Sequence, residues 1–564
     1  MTMRREPVGI YPTLNTRLVL DLAINVRDYG ASGSSSNTTG SIASGSATLT
    51  LAAAEDFQNG QGIVVFGAGT SGGLLVTTIE NGGGTSTLTL ANAAATTVSS
   101  AEVWHDDTSA IQAAITAVEN AGGGIVYLPG GFYPVSSEMS HTADCSVTIR
   151  GVGRRASGGP PQITGGTAIM WNGIPNAYTI LSATSGRFYV EDLGIHPYYG
   201  PGNSGGGYVA VSTSADGGMR RVTIAGGPSV GFPTTAVQVS SGYWVIEDCN
   251  LNTWTYGVVC TGGGQLCTIK DTVLGAGGAG VLIEDGFQTV RIRGSQTRGG
   301  NHGLIMQSGS GSAPGFLFID DFEINSPAVS GMDLTHGTQV WANELWVSGS
   351  GLASTVAASG IVVGSSFTGD VVLVNSVIQG FPQYGMTIAG GAGYGLVGCQ
   401  IGGNGGYATN TYDDLYVDAS VTSLTVVGCQ FNSAPYLTST DTRSGVHLGS
   451  FSIGEYTVSA NVFGTGYQTG PILNDSTTGT GALIAGNSGY IPGAQTAPAV
   501  PASGTALTNP FPLSVIVYVT GGAVTAIDVG GVATGMTSGP VRVAAGQTIT
   551  LTYTTAPTWT WFGE

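Results

Sequence analysis

IEDCNL at 246–251, IKDTVL at 269–274, IDDFEI at 319–324 and ANELWV at 342–347 share one pattern: an apolar residue, any residue, a small or Asp/Asn-like residue, two more, and an apolar residue. The third position of this pattern falls at Gly151, Asp192, Arg221, Asp248, Asp271, Gly294, Asp321, Glu344, Asn375, Gly398, Gly428, Ala460 and Gly486. From Asp192 onward the steps are 23–32 residues, the period of a solenoid whose coil contains several short strands. The wider step from Gly151 leaves room for an extra loop. A second column in the same phase, Gly257, Gly280, Gly303, Gly331, Gly360, Gly385 and Gly445, introduces a short apolar strand each time. Leucine-rich repeats would need leucines at fixed offsets and propeller blades would be longer. The expected class is therefore all-β, a single-stranded right-handed parallel β-helix solenoid.

Upstream of the repeat, HDDTSAIQAAITAVENAGGG at 105–124 changes to a 3.6-residue period. Asp107 reads as the N-cap, Ile111, Ala114, Ile115 and Val118 share one face, and Gly122 stops the helix, which predicts a capping helix over Thr108–Asn120. Before it, ATLTL at 47–51, GIVVF at 62–66, LLVTTI at 74–79 and STLTL at 86–90 are β-type runs parted by glycines, the signature of a small β-subdomain. After the repeat, IPGAQTAPAVPASG reads as a Pro/Ala-rich linker, and the period-two runs VIVYV, AVTAIDV, PVRV, TITLTYT and WTWF as an antiparallel β-module. The expected organisation is an attachment segment 1–23, a strand plus inserted β-subdomain 24–104, the capping helix and β-helix 105–489, a linker 490–507 and a C-terminal β-module 508–564.

Composition narrows the function classes. The 94 glycines lack a collagen period and are interleaved with Val, Ile, Leu and Phe, which suits short strands and tight turns. A net charge of −18 with 9% charged residues disfavours nucleic acid as a partner. No stretch is apolar over the roughly 20 residues needed to span a bilayer, so no membrane insertion is expected, nor is delivery by the general secretory route. Cys145, Cys249, Cys260, Cys267, Cys399 and Cys429 have neither metal-like spacing nor disulfide-scaffold density, so buried free thiols, no metal and no cofactor are expected.

NVRDYGA at 25–31, DDTSAIQAAI at 106–115 and GGGIVYLPGGFY at 122–133 together resemble the pectate-lyase-like superfamily of right-handed parallel β-helices, in the family's order. The first two are usually a few residues apart, and here 32–104 intervenes as an insertion. The resemblance covers about 24–489 and implies a fold and a polysaccharide bias, since the superfamily holds pectinases, other lyases and hydrolases, and bacteriophage tailspikes. The N-terminal segment, the Pro/Ala stretch and the terminal TSGPVRVAAGQTITLTYTTAPTWTW look like minor tail proteins of phages infecting actinobacteria, and Lys270 as the single lysine among 16 basic residues agrees. This implies a virion tail location, a homotrimer, contact with other tail proteins through the N-terminal segment, and binding of a host surface glycan. The alternative is a depolymerase, either a polysaccharide lyase or a glycoside hydrolase.

Strand alternation locates the candidate residues. The residue two before each corner position points inward and its neighbours point outward. Two outward columns result: Val245, Thr268, Arg291, Phe318, Trp341, Val372, and Glu247, Lys270, Arg293, Asp320, Asn343, Val374. Opposite charges at 247, 270, 293 and 320 read as a compensated ladder that supports register. Arg291, Arg293, Phe318, Trp341 and Asn343, with Asp320, read as one glycan-binding face, because aromatic faces stack on sugar rings while guanidinium, amide and carboxylate groups bond hydroxyls. If the protein is an enzyme, Asp320 and Asp333 are the expected acid–base pair, with His336 assisting. The pectinase order of NTD, DD, GHG and RIK is not reproduced: the DD is Asp320-Asp321, the third element is only NHG at 301–303, and RIRG at 291 precedes both. Asp192, Asp248, Asp271 and Asp321 are expected to stack at the turns, accepting backbone N–H bonds. A third outward column, Val259, Leu282, Ile305, Asp333, Val362, Thr387, Tyr416 and His447, opens with three apolar residues that call for burial by a loop or another subunit.

Overall fold

The computed structural model describes residues 23–564 except 35, 155–165, 172–178, 198–208, 225–233, 254, 310, 351–357, 433–437 and 479–481. The expected attachment segment therefore lies, apart from Ala23, outside the described residues. The chain forms two compact units, 1–281 and 282–564.

In the first unit, parallel strands pair in register in the order Ala23–Asn25, Gly124–Tyr127, Ser146–Arg150, Arg187–Pro197, Asp216–Ile224, Tyr243–Glu247 and Leu266–Lys270. A second parallel wall runs Met139–His141, Thr179–Ala183, Val209–Thr213, Thr235–Val239 and Tyr256–Cys260. In the second unit one wall runs Thr289–Arg298, Phe316–Asn325, Gln339–Ser348, Asp370–Val374, Gly393–Val397, Val421–Val427 and Ser452–Ser459. The other runs from His302–Met306 through Ser330–Leu334, Ser359–Val363, Met386–Ile388, Leu415–Val417 and Ser444–Leu448 to Gly470–Asn474. Both units are parallel β-solenoid, as the repeat predicts.

The corner column has a backbone cause. Asp192, Arg221, Asp248, Asp271, Gly294, Asp321, Glu344, Asn375, Gly398, Gly428, Ala460 and Gly486 all have φ between 49° and 65°. One left-handed residue per coil bends the strand and inserts one step into its alternation. In Phe316–Asn325 inward and outward residues alternate up to Asp320, Asp321 is exposed beside it, and the alternation then resumes one residue later at buried Phe322 and Ile324. Asp and Asn tolerate this region better than other non-glycine residues, which accounts for their share of the column. Two of the four aspartates expected to accept backbone N–H bonds take arginine side chains. Asp192 holds the Arg221 guanidinium with both oxygens, at 2.5 and 2.7 Å, and Asp248 takes Arg154 at 2.9 Å. Gly151 departs from the column: it is glycine because a Cβ there would lie 2.3 Å from the Asp192 carbonyl oxygen.

The second glycine column is set by space. A Cβ on Gly331 would sit 2.2 Å from Val347 Cγ1 and 2.6 Å from the Gly360 carbonyl oxygen, and one on Gly360 2.3 Å from that of Gly385. Between the walls, apolar side chains stack rung on rung, as in Ile292, Ile319, Ala342, Leu373, Leu396, Val426 and Val458, all buried. The six cysteines are free thiols, five of them buried, including Cys399 and Cys429.

The helix spans Thr108–Asn120 and ends with Gly122 at φ 82°, whose N–H bonds the Glu119 carbonyl. Asp107 stands at the N-cap position without capping. Its carboxylate instead accepts from Ser32 N at 2.6 Å and Gly33 N at 3.2 Å, while Asp106 takes the Thr108 amide and hydroxyl. Asp107 thus ties the chain just before the insertion to the helix just after it. The insertion is a closed barrel of six antiparallel strands with its own core around Leu49, Phe57, Ile63 and Leu88. Its first and last strands pair, Asn37 opposite Trp104, so it leaves and rejoins the solenoid at adjacent points. Such an insertion adds little loop-closure cost to the host.

The C-terminal module consists of two four-stranded sheets over Val515, Val517, Ile527, Leu551 and Trp561. The stretch expected as a linker is built into it. Ala494–Gln495 and Ala506–Thr508 are strands of its two sheets, and the Pro498 carbonyl accepts from Trp559 Nε1 at 2.7 Å. Proline's missing donor suits edge and crossover positions as well as linkers.

Gly331→Ala should destabilise by about 1–3 kcal/mol through overpacking, whereas Ala460→Gly should be neutral or stabilising by up to ~1 kcal/mol, since it relieves a left-handed alanine at some entropic cost; denaturant unfolding compares them. Burial raises the Asp107 carboxyl to about 7 against the bonds from Ser32 and Gly33. A folded value above the unfolded one, ~3.9, means stability complete below about pH 4 and lost as pH rises through about 7. Wild type should therefore lose more unfolding temperature than Asp107→Asn between about pH 5 and about pH 8.

Candidate functional site

The predicted face assembles on Thr289–Arg298, Phe316–Asn325 and Gln339–Ser348. Register pairs Arg291 with Phe318 and Phe318 with Trp341, and beside them Arg293 with Asp320 and Asp320 with Asn343. Adjacent rungs lie about 4.8 Å apart, so these side chains meet without any loop to position them. The Arg291 guanidinium lies 5.8 Å over the Phe318 ring, and Phe318 meets Trp341 edge-on at 5.9 Å and 79°. Arg293 Nε stands 3.4 Å from Asp320 Oδ2, and Asn343 Nδ2 donates to Asp320 Oδ1 at 3.1 Å. Trp341 is 52% exposed although flanked by buried Val340 and Ala342, an unusual state for a tryptophan on a rigid strand.

Sequence reasoning missed one member. Phe316 lies parallel to Phe318, at 6.3 Å and 11°, and is itself an exposed large hydrophobic. Its position two residues before Phe318 put it on the same side, a signal present in FLF at 316–318.

The expected catalytic group does not come together. Asp320 is on one wall of the coil and Asp333 on the other, in Ser330–Leu334, where its carboxylate accepts the Thr335 hydroxyl at 2.7 Å. His336 lies in the corner after that strand, its amide bonded to the Met306 carbonyl. Nearness in sequence misled here because about a dozen residues carry the chain from one wall to the next. Among the described residues there is no cluster of His, Cys, Asp and Glu able to hold a metal ion, and no helix is long and apolar enough to cross a membrane.

The charge ladder exists as pairs, Lys270 Nζ with Glu247 Oε1 at 2.7 Å in the first unit and Arg293 with Asp320 in the second. Lys270 holds the Glu247 carboxyl below its usual range. Of the apolar start of the third outward column, Val259 is 6% and Leu282 3% exposed, whereas Ile305 is half-buried.

No protein-family model matches this chain, and no curated protein does. Solved structures give several distant likenesses. The A-module of the Azotobacter vinelandii mannuronan C-5 epimerase AlgE6 is 17% identical over 69% of this chain and 96% of its own, with a TM-score of 0.44. Tailspike protein 3 of bacteriophage CBA120 is 13% identical over 72% of this chain and 63% of its own, at 0.45. A tailspike protein of E. coli bacteriophage HK620 is 12% identical over 81% and 90%, also at 0.45. Identities this low leave the activity of this chain to its own residues.

Because the Arg293–Asp320 pair is more than half exposed on both sides, Arg293→Ala should change folding stability by less than ~1 kcal/mol. A larger loss in thermal or denaturant unfolding would assign the pair to the scaffold instead of to a binding face.

Proposed function

We propose that this chain is a bacteriophage tail spike or fibre that binds a polysaccharide of the host surface through the face formed by Arg291, Arg293, Phe316, Phe318, Asp320, Trp341 and Asn343. The observation that carries the reading is a half-exposed tryptophan edge-on to one phenylalanine with a second stacked beyond it, next to guanidinium, carboxylate and amide groups, on paired strands of one solenoid wall. Exposed aromatic area of this kind costs free energy unless a partner covers it. A sugar does so, with its C–H face on the rings and its hydroxyls on the polar rim. The tail assignment rests on the resemblance of the N-terminal segment, the Pro/Ala stretch and the terminal TSGPVRVAAGQTITLTYTTAPTWTW to phage minor tail proteins, while the 25–31, 106–115 and 122–133 motifs resemble a superfamily that includes tailspikes. Assembly as a homotrimer on the virion tail, with segment 1–23 toward other tail proteins, belongs to the same proposal. The outward ladder of Val374, Val397 and Val427, with Val397 42% exposed, is apolar surface that a second copy could cover.

A depolymerase on the same polymer is the second reading, and the separation of Asp320 from Asp333 weighs against the carboxylate pair first considered for it. Trp341→Ala should weaken retention of the full-length protein on purified host cell-wall polysaccharide by about tenfold or more, as loss of a central aromatic anchor does. Asp320→Asn keeps the shape and removes the charge, so it should alter retention less and leave no glycan release to lose. Unchanged retention in both variants would make the face structural, and oligosaccharide release that Asp320→Asn abolishes would favour the enzyme.

A further inference from the structure

On the other wall of the second unit, the outward column runs in register through Val362, Thr387, Tyr416 and His447. Its last members meet residues from the neighbouring loops in a continuous aromatic tract. Tyr416 stacks on His447 at 4.7 Å and 23° and on Tyr384 at 5.6 Å and 18°. Tyr384 meets Tyr412 at 5.0 Å and 89°, and Tyr412 meets Tyr407 at 6.3 Å and 61°. The stacked members follow the rise of the coils, about 4.8 Å, and offer edges and hydroxyls. The perpendicular members end at Tyr407, which is 47% exposed.

Beneath the rings the polar groups are fixed. Asp413 is fully buried and takes both arms of Arg443, with Nε at 2.9 Å, the Ser444 hydroxyl at 2.6 Å, and His447 Nδ1 at 3.1 Å. Burial alone would raise its carboxyl, but the bonds from Arg443, His447 and Ser444 keep it below the ordinary range. The guanidinium, 5.6 Å from the Tyr416 ring, is thereby neutralised. Around the rim, Asp418 accepts the Tyr416 hydroxyl at 2.8 Å, Asp475 faces His447 Nε2 at 3.3 Å, and Asp441 accepts the Thr409 hydroxyl at 2.8 Å. Among the described residues no arginine or lysine pairs with any of these three. The exposed field of the tract is therefore negative.

We propose that this tract is a second saccharide site, which takes a neutral or amino-sugar chain lying along the coils and excludes polyanionic glycans. Tyrosine rings supply stacking and phenolic hydroxyls, the Asp413–Arg443–His447 cluster holds the loop and strand that carry them, and the rim carboxylates bond hydroxyl or ammonium groups. The site shares no residue with the Trp341 face, so each stands or falls separately.

The test is calorimetric titration of the full-length protein with a hexamer of N-acetylglucosamine, its deacetylated cationic form, and a mannuronate hexamer as the polyanion. Wild type should bind both amino-sugar hexamers and leave the mannuronate hexamer unbound. Tyr412→Ala should weaken both about tenfold or more, with Tyr407→Ala, at an exposed position, as the variant that spares folding. Asp418→Asn should weaken the cationic hexamer more than the neutral one. Failure of wild type to bind either amino-sugar hexamer, unchanged affinity in both tyrosine variants, or mannuronate binding that Tyr412→Ala removes would overturn the proposal.

Discussion

One left-handed residue in each coil is the constraint on which this molecule depends. A parallel strand alternates strictly inward and outward, and a straight one would never close a coil. The residue at φ near 55° bends the strand and shifts its alternation by one, so the same chain can bury Ile319 before the corner and Phe322 after it. The conformation costs about 1–2 kcal/mol for an ordinary L-residue. The column therefore drifts toward glycine, aspartate and asparagine without needing any one of them. Arg221, Glu344 and Ala460 show that a corner held on both sides by ladder hydrogen bonds and a stacked core tolerates the strain.

The same constraint builds the candidate binding face. Because corners repeat in register, the residues just before them form straight outward columns, and side chains 23 or 27 positions apart in sequence become neighbours across a rung. Arg291, Phe318 and Trp341 meet for this reason alone. No loop conformation has to be selected when a ligand arrives, which favours recognition by a pre-organised backbone. The ion pair of Arg293 and Asp320 contributes little to folding where it lies. Its oriented polar atoms gain importance only against a ligand that excludes water.

The appended parts follow a related logic. The six-stranded barrel enters and leaves at paired strands and brings its own core, and buried Asp107 draws Ser32 and Gly33 onto the start of the helix. The C-terminal sheets likewise close over a core of their own, with the Pro/Ala stretch supplying two strands. Each addition satisfies its own backbone and apolar groups, so the solenoid beside it need not be redesigned.

Much of this was legible from order and spacing alone. The coil period, the parity of Arg291, Phe318 and Trp341, and the helix limits at Thr108 and Asn120 all follow from periodicities of 2, 3.6 and about 25 residues, which are local or repeat properties of a chain. What lay beyond reach depends on which non-repeating pieces touch. Asp333 and His336 are near Asp320 in sequence but stand past a corner, because a coil sends successive segments to different walls. Asp107 looks like an N-cap and instead holds the segment before the barrel, since its partner Ser32 is 75 residues away. The Pro/Ala stretch has linker composition, yet its carbonyls and short strands complete a sandwich. Tyr416 and His447 share a column of the repeat, but Tyr384, Tyr412 and Arg443 have no shared spacing, as they sit in loops of unequal length. A repeat determines its own register, whereas contacts between unequal loops are decided only by packing in three dimensions.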